Sequence, residues 1–183
     1  MRTAPFWMVA GIYAIFGYVR STFVAHTAAH VQDLGFSLVD GANVVGVISV
    51  ASIIGRIGMG RVADMIGNRG TLIIGFAVFT LSIGWLLIIG NLWGLYLFAL
   101  LYGFAWGALA VLRFAVAAEV FGLASAGFIM GIVGFPDSLS AMFSSYLSGF
   151  ICDLAGSYHV AFVICAAVSF LGIILSWRLK PAH

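Results

Sequence analysis

The sequence predicts an all-α membrane protein: six transmembrane helices arranged as two inverted three-helix repeats. Three observations carry that expectation. The chain is 63% hydrophobic and only 8% charged, where a soluble domain carries about a quarter charged residues. Its mean hydropathy is +1.17, and the apolar residues run in blocks of bilayer-spanning length, because a helix needs roughly 20 of them to cross a ~30 Å hydrocarbon core. Finally, a polar connection between two of these blocks is echoed further along the chain.

The blocks define one transmembrane domain, residues 1–183, with spans at 6–30, 41–62, 71–89, 92–117, 128–150 and 160–177. The N-terminus places one arginine before a long apolar run without a convincing cleavage site, so it reads as the first spanning helix and not as a leader. VQDLGFSLVD joins the first two spans. The glycine-rich stretch GRIGMGRVADMIGNRG, Gly55 to Gly70, is expected to be a tight polar loop between the second and third. Gly90-Asn91 makes the next turn, and the fifth span contains Pro136.

The stretch Gly60-x-x-x-Asp64-x-x-Gly67 recurs as Gly149-x-x-x-Asp153-x-x-Gly156, each position displaced by 89 residues (149−60, 153−64, 156−67). The copies follow the second helix of each three-helix set and fall on opposite membrane faces, as inverted repeats require. Arg2, Arg61, Arg69, Arg113, Arg178 and Lys180 lie in or near the tails and the connections of one face. The opposite connections hold Asp33, Asp40, Asp153 and His159 and no Lys or Arg. The positive-inside bias then places both termini in the cytoplasm, in a plasma (inner) membrane.

Ionisable groups inside a bilayer are costly and mark function by default. Asp137 lies near the midplane of the fifth span, next to Pro136. It reads either as a proton or substrate site or as an acid paired internally to hold helices together. Arg56, deep in the second span, suits a two-pronged grip on a carboxylate; the alternative is a side chain that snorkels to the nearby interface. Arg20 divides evenly between substrate binding and a structural ion pair. His26 and His30 stand one turn apart on the first helix, placed for a proton relay or simply facing water. Two histidines without a third ligand make no metal site. Gly103-x-x-x-Gly107 and Gly127-x-x-x-Gly131 read as surfaces for close helix packing. Tyr18, Trp106 and Tyr146 read as packing or cavity-lining aromatics.

Other classes find little support. A net charge of +2 is too small for a nucleic-acid partner, and Cys152 and Cys165 have neither disulfide nor metal-ligand spacing. No nucleophile–base set, phosphate-cradling loop or cofactor motif occurs, so no enzyme and no cofactor is expected.

Gly60, Asp64, Gly67 and Arg69, in the pattern G-x-x-x-D-x-x-G-x-R, resemble the cytoplasmic loop motif of the major facilitator superfamily. HTAAHVQDLGFS, AAEVFGLASAGFIMGIVG and GFICDLAGSYHVAF resemble the C-terminal half of its monocarboxylate-transporter-like members. The resemblance implies half of a twelve-helix fold and alternating access for a small organic anion, with a proton as coupling ion. It implies that Arg56 binds the substrate carboxylate, although the acidic partner usual four residues earlier is here Ser52. It also implies an acid at Asp137 for proton coupling and a conformational latch at Gly60 to Arg69. Arg20 and His26 join these as substrate and proton candidates. The other cavity wall is expected from a second six-helix half, either a missing N-terminal half or a dimer partner. In a lone half, Arg56 and Asp137 are expected to face lipid. The rival expectations are a truncated remnant or scaffold that transports nothing, and a drug or sugar porter of the same superfamily.

Overall fold

The computed structural model describes residues 3–122 and 126–179. Its five helices are α1 (Thr3–Asp33), α2 (Leu38–Leu86), α3 (Leu92–Phe121), α4 (Ala126–Ala155) and α5 (His159–Arg178). In a bilayer every backbone N–H and C=O must be satisfied within the chain, which favours uninterrupted helices joined by short turns. α1, α2, α3 and α5 are long and apolar enough to cross a membrane. α4 matches them in length but carries Pro136, Asp137, Asp153 and five serines.

The expected count of six separate helices changes in one respect. The stretch Gly55 to Gly70 is not a loop: α2 is helical on both sides of a single break at Gly67, where φ is 81° and ψ 158°. At 1.5 Å per residue a helix of 49 residues would measure about 74 Å, more than twice the hydrocarbon thickness. The break at Gly67 divides it into a first arm (38–66) and a second arm (68–86). The two arms run in opposite directions. Ile48 meets Gly103 and Ser52 meets Gly107, so the first arm is parallel to α3; Gly75 meets Leu109 while Phe79 stacks on Tyr102, so the second is antiparallel to it. The same logic sets α1 antiparallel to α3, through Tyr13–Arg113 and Tyr102–Val19, and parallel to α4, through Ala14–Ser140 and Ser21–Ser145. The turn before α3 opens at Leu87 and not at Gly90, and Asn91 caps α3 by accepting from Gly94 N at 2.7 Å. Ser37 and Asp40 cap α2 reciprocally.

The 89-residue offset holds throughout the fold. Shifted by 89, α1 becomes 92–122, the first arm 127–155 and the second arm 157–175. These ranges coincide within a few residues with α3, α4 and α5. Thr80 and Ser169, equivalent under the offset (169−80), meet hydroxyl to hydroxyl at 2.8 Å. Equivalent helices run antiparallel, so the repeats are inverted. Gly67 and its counterpart Gly156 both have positive φ, 81° and 69°.

At the centre α1, the second arm, α3 and α5 contribute a buried aromatic cluster. Phe23 lies 4.7 Å from both Tyr102 and Phe162, and Phe79 4.6 Å from Tyr102, between ring centroids. Each such pair adds about 0.5–1.5 kcal/mol beyond its burial. Only glycine adopts the Gly67 backbone without strain. Gly67→Ala is therefore expected to cost about 1–3 kcal/mol and lower the unfolding temperature of the detergent-purified protein, whereas Gly60→Ala, with open space around it, should not.

Candidate functional site

The sharpest polar feature lies where α1, α3 and α4 meet. Asp137 is eleven residues into α4, about 16 Å along it. Pro136 continues the helix while removing one backbone N–H. Gly17 lets α1 approach: a Cβ there would come within 2.9 Å of Ser140 Oγ and 2.5 Å of the Asp137 carbonyl oxygen. Ser140 Oγ closes the contact by donating to the Ala14 carbonyl at 2.8 Å.

The Asp137 side chain is only 12% exposed and meets two arginines. Arg113 Nη1 donates to Asp137 Oδ2 at 3.2 Å, and Arg20 Nη2 lies 3.8 Å from the same oxygen. Both guanidiniums pack on Phe16, at 5.9 Å for Arg20 and 5.4 Å for Arg113, and Arg113 also stacks over Phe114 at 5.2 Å. Such contacts favour cations over rings. Among the described residues, Asp137 Oδ1 and the Nε of each arginine are buried without a hydrogen-bond partner. Two cations on one carboxylate leave a surplus of one positive charge between α1, α3 and α4.

The charges are not part of the repeated pattern. The positions equivalent to Arg20, Arg113 and Asp137 are Leu109 (20+89), Val24 (113−89) and Ile48 (137−89), all apolar. The corresponding seam, between α3 and the first arm, is made instead by backbone approach at Gly55, Gly103 and Gly107. Gly127 and Gly131, expected to pack like that pair, have nothing within 4 Å.

Above Asp137 the α1–α4 seam is lined with hydroxyls. Ser21 and Ser145 meet at 2.8 Å, Thr22 and Ser148 at 3.2 Å, and His26 Nε2 lies 3.1 Å from the Ser145 carbonyl. His26 stacks on Tyr158 at 5.0 Å. Burial first, then the Cys152 thiol, pushes the Tyr158 phenol up to about 12, so it stays protonated at neutral pH. His30 turns its ring to Phe162 instead, at 4.9 Å, and the described residues contain no group of three metal-ligating side chains.

The structure thus brings Arg20 and Asp137 together and sets His26 at the other end of the same seam. It does not bring Arg56 to them. Arg56 is exposed on the first arm, beside Ile53 and Ile57, and makes no side-chain hydrogen bond or ion pair among the described residues. The expectation that Asp137 faces lipid in this half is corrected, since α1 covers it. Arg113 is the residue that sequence reasoning placed wrongly. Counted as a flanking charge, it sits eight residues before the end of α3 and turns inward; its depth, similar to that of Asp137, was the signal. In the loop motif, Asp64 is exposed. Arg69 donates to the Trp177 carbonyl at the end of α5, and Asn68 to Glu119 near the end of α3 at 2.6 Å. These two residues of the loop stretch thus find partners within this chain.

Residues 2–183 match the family model described as Major Facilitator Superfamily. The chain belongs to the major facilitator superfamily. This superfamily chain is an integral, multi-pass membrane protein. It is 28% identical over 149 residues to Monocarboxylate transporter 13 of Rattus norvegicus, an alignment covering 80% of the chain and 35% of the relative. The figures for Monocarboxylate transporter 13 of Bos taurus are 28% over 157 residues, 80% and 35%. The chain therefore spans about a third of the length of the curated relatives it matches. Among solved structures it is similar to one described under substrate recognition in proton dependent oligopeptide transporters, with a TM-score of 0.86 at 15% identity, covering 100% of this chain and 43% of that one. The nucleoside transporter NupG matches with a TM-score of 0.75 at 14% identity, covering 98% and 44%. At such identities these two share the fold alone.

Proposed function

We propose that this chain is part of a secondary active transporter that moves a small monocarboxylate or related organic anion by alternating access, coupled to a proton. The observation that carries the reading is the surplus positive charge of the Arg20–Asp137–Arg113 group. An anion neutralises it, and a cation or an uncharged solute does not. The monocarboxylate transporters among the curated relatives support the same substrate class.

In this reading Arg20 holds the substrate carboxylate and Asp137 takes up and releases the proton. When Asp137 is protonated, the arginines lose their resident counter-ion and are free for the substrate; when it ionises, it competes for them and favours release. The hydroxyl-lined seam from Asp137 to His26 gives protons a polar approach from the far end of α1. Arg56 serves as a second carboxylate contact once another six-helix half, a missing N-terminal half or a second copy, covers the first arm. Gly60, Asp64, Gly67 and Arg69 bias the two access states. Both termini are assigned to the cytoplasm of a plasma membrane, because Arg61, Arg69 and Arg178 flank the Gly67 end.

The test is uptake of labelled pyruvate, lactate and acetate into proteoliposomes of the full-length protein under an inward proton gradient. Arg20→Gln is expected to reduce it by about 10-fold or more, from the loss of a charged hydrogen bond. Transport of an uncharged solute that is indifferent to Arg20→Gln would overturn the reading.

A further inference from the structure

Arg113 pairs with Asp137, yet its geometry exceeds that of an ion-pair partner. One carboxylate and one guanidinium make a satisfied pair when two N–H groups meet two oxygens in parallel. Asp137 does this with neither arginine. A single oxygen, Oδ2, is shared by Arg113 at 3.2 Å and Arg20 at 3.8 Å. The other oxygen and both Nε atoms have no partner among the described residues. Each guanidinium carries five N–H donors, so most of the donors in this pair are not used by Asp137. The two arginine side chains are also the open part of the group, 30% and 26% exposed against 12% for Asp137.

The geometry points to Arg113 as a substrate-binding residue: a carboxylate ligand bridges the Arg113 and Arg20 guanidiniums and competes with Asp137 for their donors. This rests on the anion reading of the same seam and adds to it a residue on a third helix. The class of ligand follows from the surroundings. Two fork-shaped donors suit a planar carboxylate, the net charge of the group suits a monoanion, and the half-exposed Phe114 ring beside Arg113 offers apolar surface to a short carbon chain. The repeat-equivalent positions Leu109, Val24 and Ile48 are all apolar, so the three charges are particular to this seam and not part of the repeated pattern. Of the titratable and charged groups near Asp137, Arg20 and Tyr13 face it from α1 and Arg113 from α3.

The test is calorimetric titration of pyruvate into the full-length protein in detergent at one fixed pH, with monodispersity checked for every variant. Arg113→Gln is expected to weaken binding by about 10- to 100-fold, as the loss of a charged hydrogen bond does. Arg113→Lys keeps the charge but not the fork and is expected to weaken it less. Asp137→Asn removes the competitor and is expected to tighten binding several-fold. Weakening in Arg20→Gln with wild-type affinity in Arg113→Gln would overturn this inference and leave the anion reading standing. Pyruvate binding that is absent, or that is indifferent to both arginines, would overturn both. If Arg113→Gln does not fold, Arg113→Lys decides, and wild-type affinity in it counts against the proposal. Weaker binding in Asp137→Asn would also overturn it, because a competitor cannot be a required contact.

Discussion

Gly107→Leu is expected to push α3 away from the first arm of α2 and to cost on the order of 3 kcal/mol or more, at the upper end of overpacking penalties. The Cβ alone would lie 2.7 Å from the Ser52 carbonyl carbon and closer still to its oxygen. These are backbone atoms of a continuous helix, and no side-chain rotation relieves the clash. One turn away, a Cβ on Gly103 would come within 2.9 Å of Ala51 Cβ and Ile48 Cα, and Gly55 faces Phe104 from the opposite helix. Lipid supplies little hydrophobic drive to helix association, so such close contacts carry much of it. The measurement is the unfolding midpoint in detergent, with Gly131→Leu as control because nothing lies within 4 Å of Gly131. Equal midpoints for the two variants would contradict this account of the α2–α3 seam.

Asp137→Ala is expected to be the most destabilising single change among the charged residues. Breaking a buried ion pair by removing one partner costs about 3–5 kcal/mol because the remaining charge is left uncompensated. Both arginines are a quarter to a third exposed, and solvent screening reduces that to about 2–3 kcal/mol. A second variant separates stability from function. Replacing all three charges together, Arg20→Met, Arg113→Met and Asp137→Leu, leaves nothing unpaired and is expected to restore the midpoint to near that of the wild type. The same triple variant is expected to take up no carboxylate. Restored stability with intact uptake would show that the charges serve neither purpose.

Much of the fold was readable from residue order alone, since five of the six expected spans lie inside a helix, the third (71–89) running three residues past the end of α2, and the echo at Gly149 to Gly156 announced the repeat. The exceptions have physical causes. A run of polar and glycine residues looked like a loop, but a membrane chain keeps its backbone bonds by staying helical on both sides of one positive-φ glycine. Gly127 and Gly131 share the spacing of Gly103 and Gly107, yet spacing does not say which face of a helix meets a neighbour. The site was legible one residue at a time: Asp137 and Arg20 stood out by their depth. Their pairing did not, because it depends on Gly17 and Ser140 letting two helices 120 positions apart (137−17) touch. Arg113 was hidden by a charge-counting rule that assigns arginines near helix ends to the flanks. Arg56 stood out equally, but helix orientation turns it to the outside of this half.

The central claim is that Asp137 carries the proton while Arg20 and Arg113 hold the anion. It is tested most directly in proteoliposomes of full-length protein, recording labelled pyruvate and lumenal pH together. The wild type should acidify the lumen as pyruvate enters. Asp137→Asn should stop both net uptake and acidification while exchange of external for internal pyruvate continues. Acidification accompanying net pyruvate uptake in Asp137→Asn, as in the wild type, would contradict it.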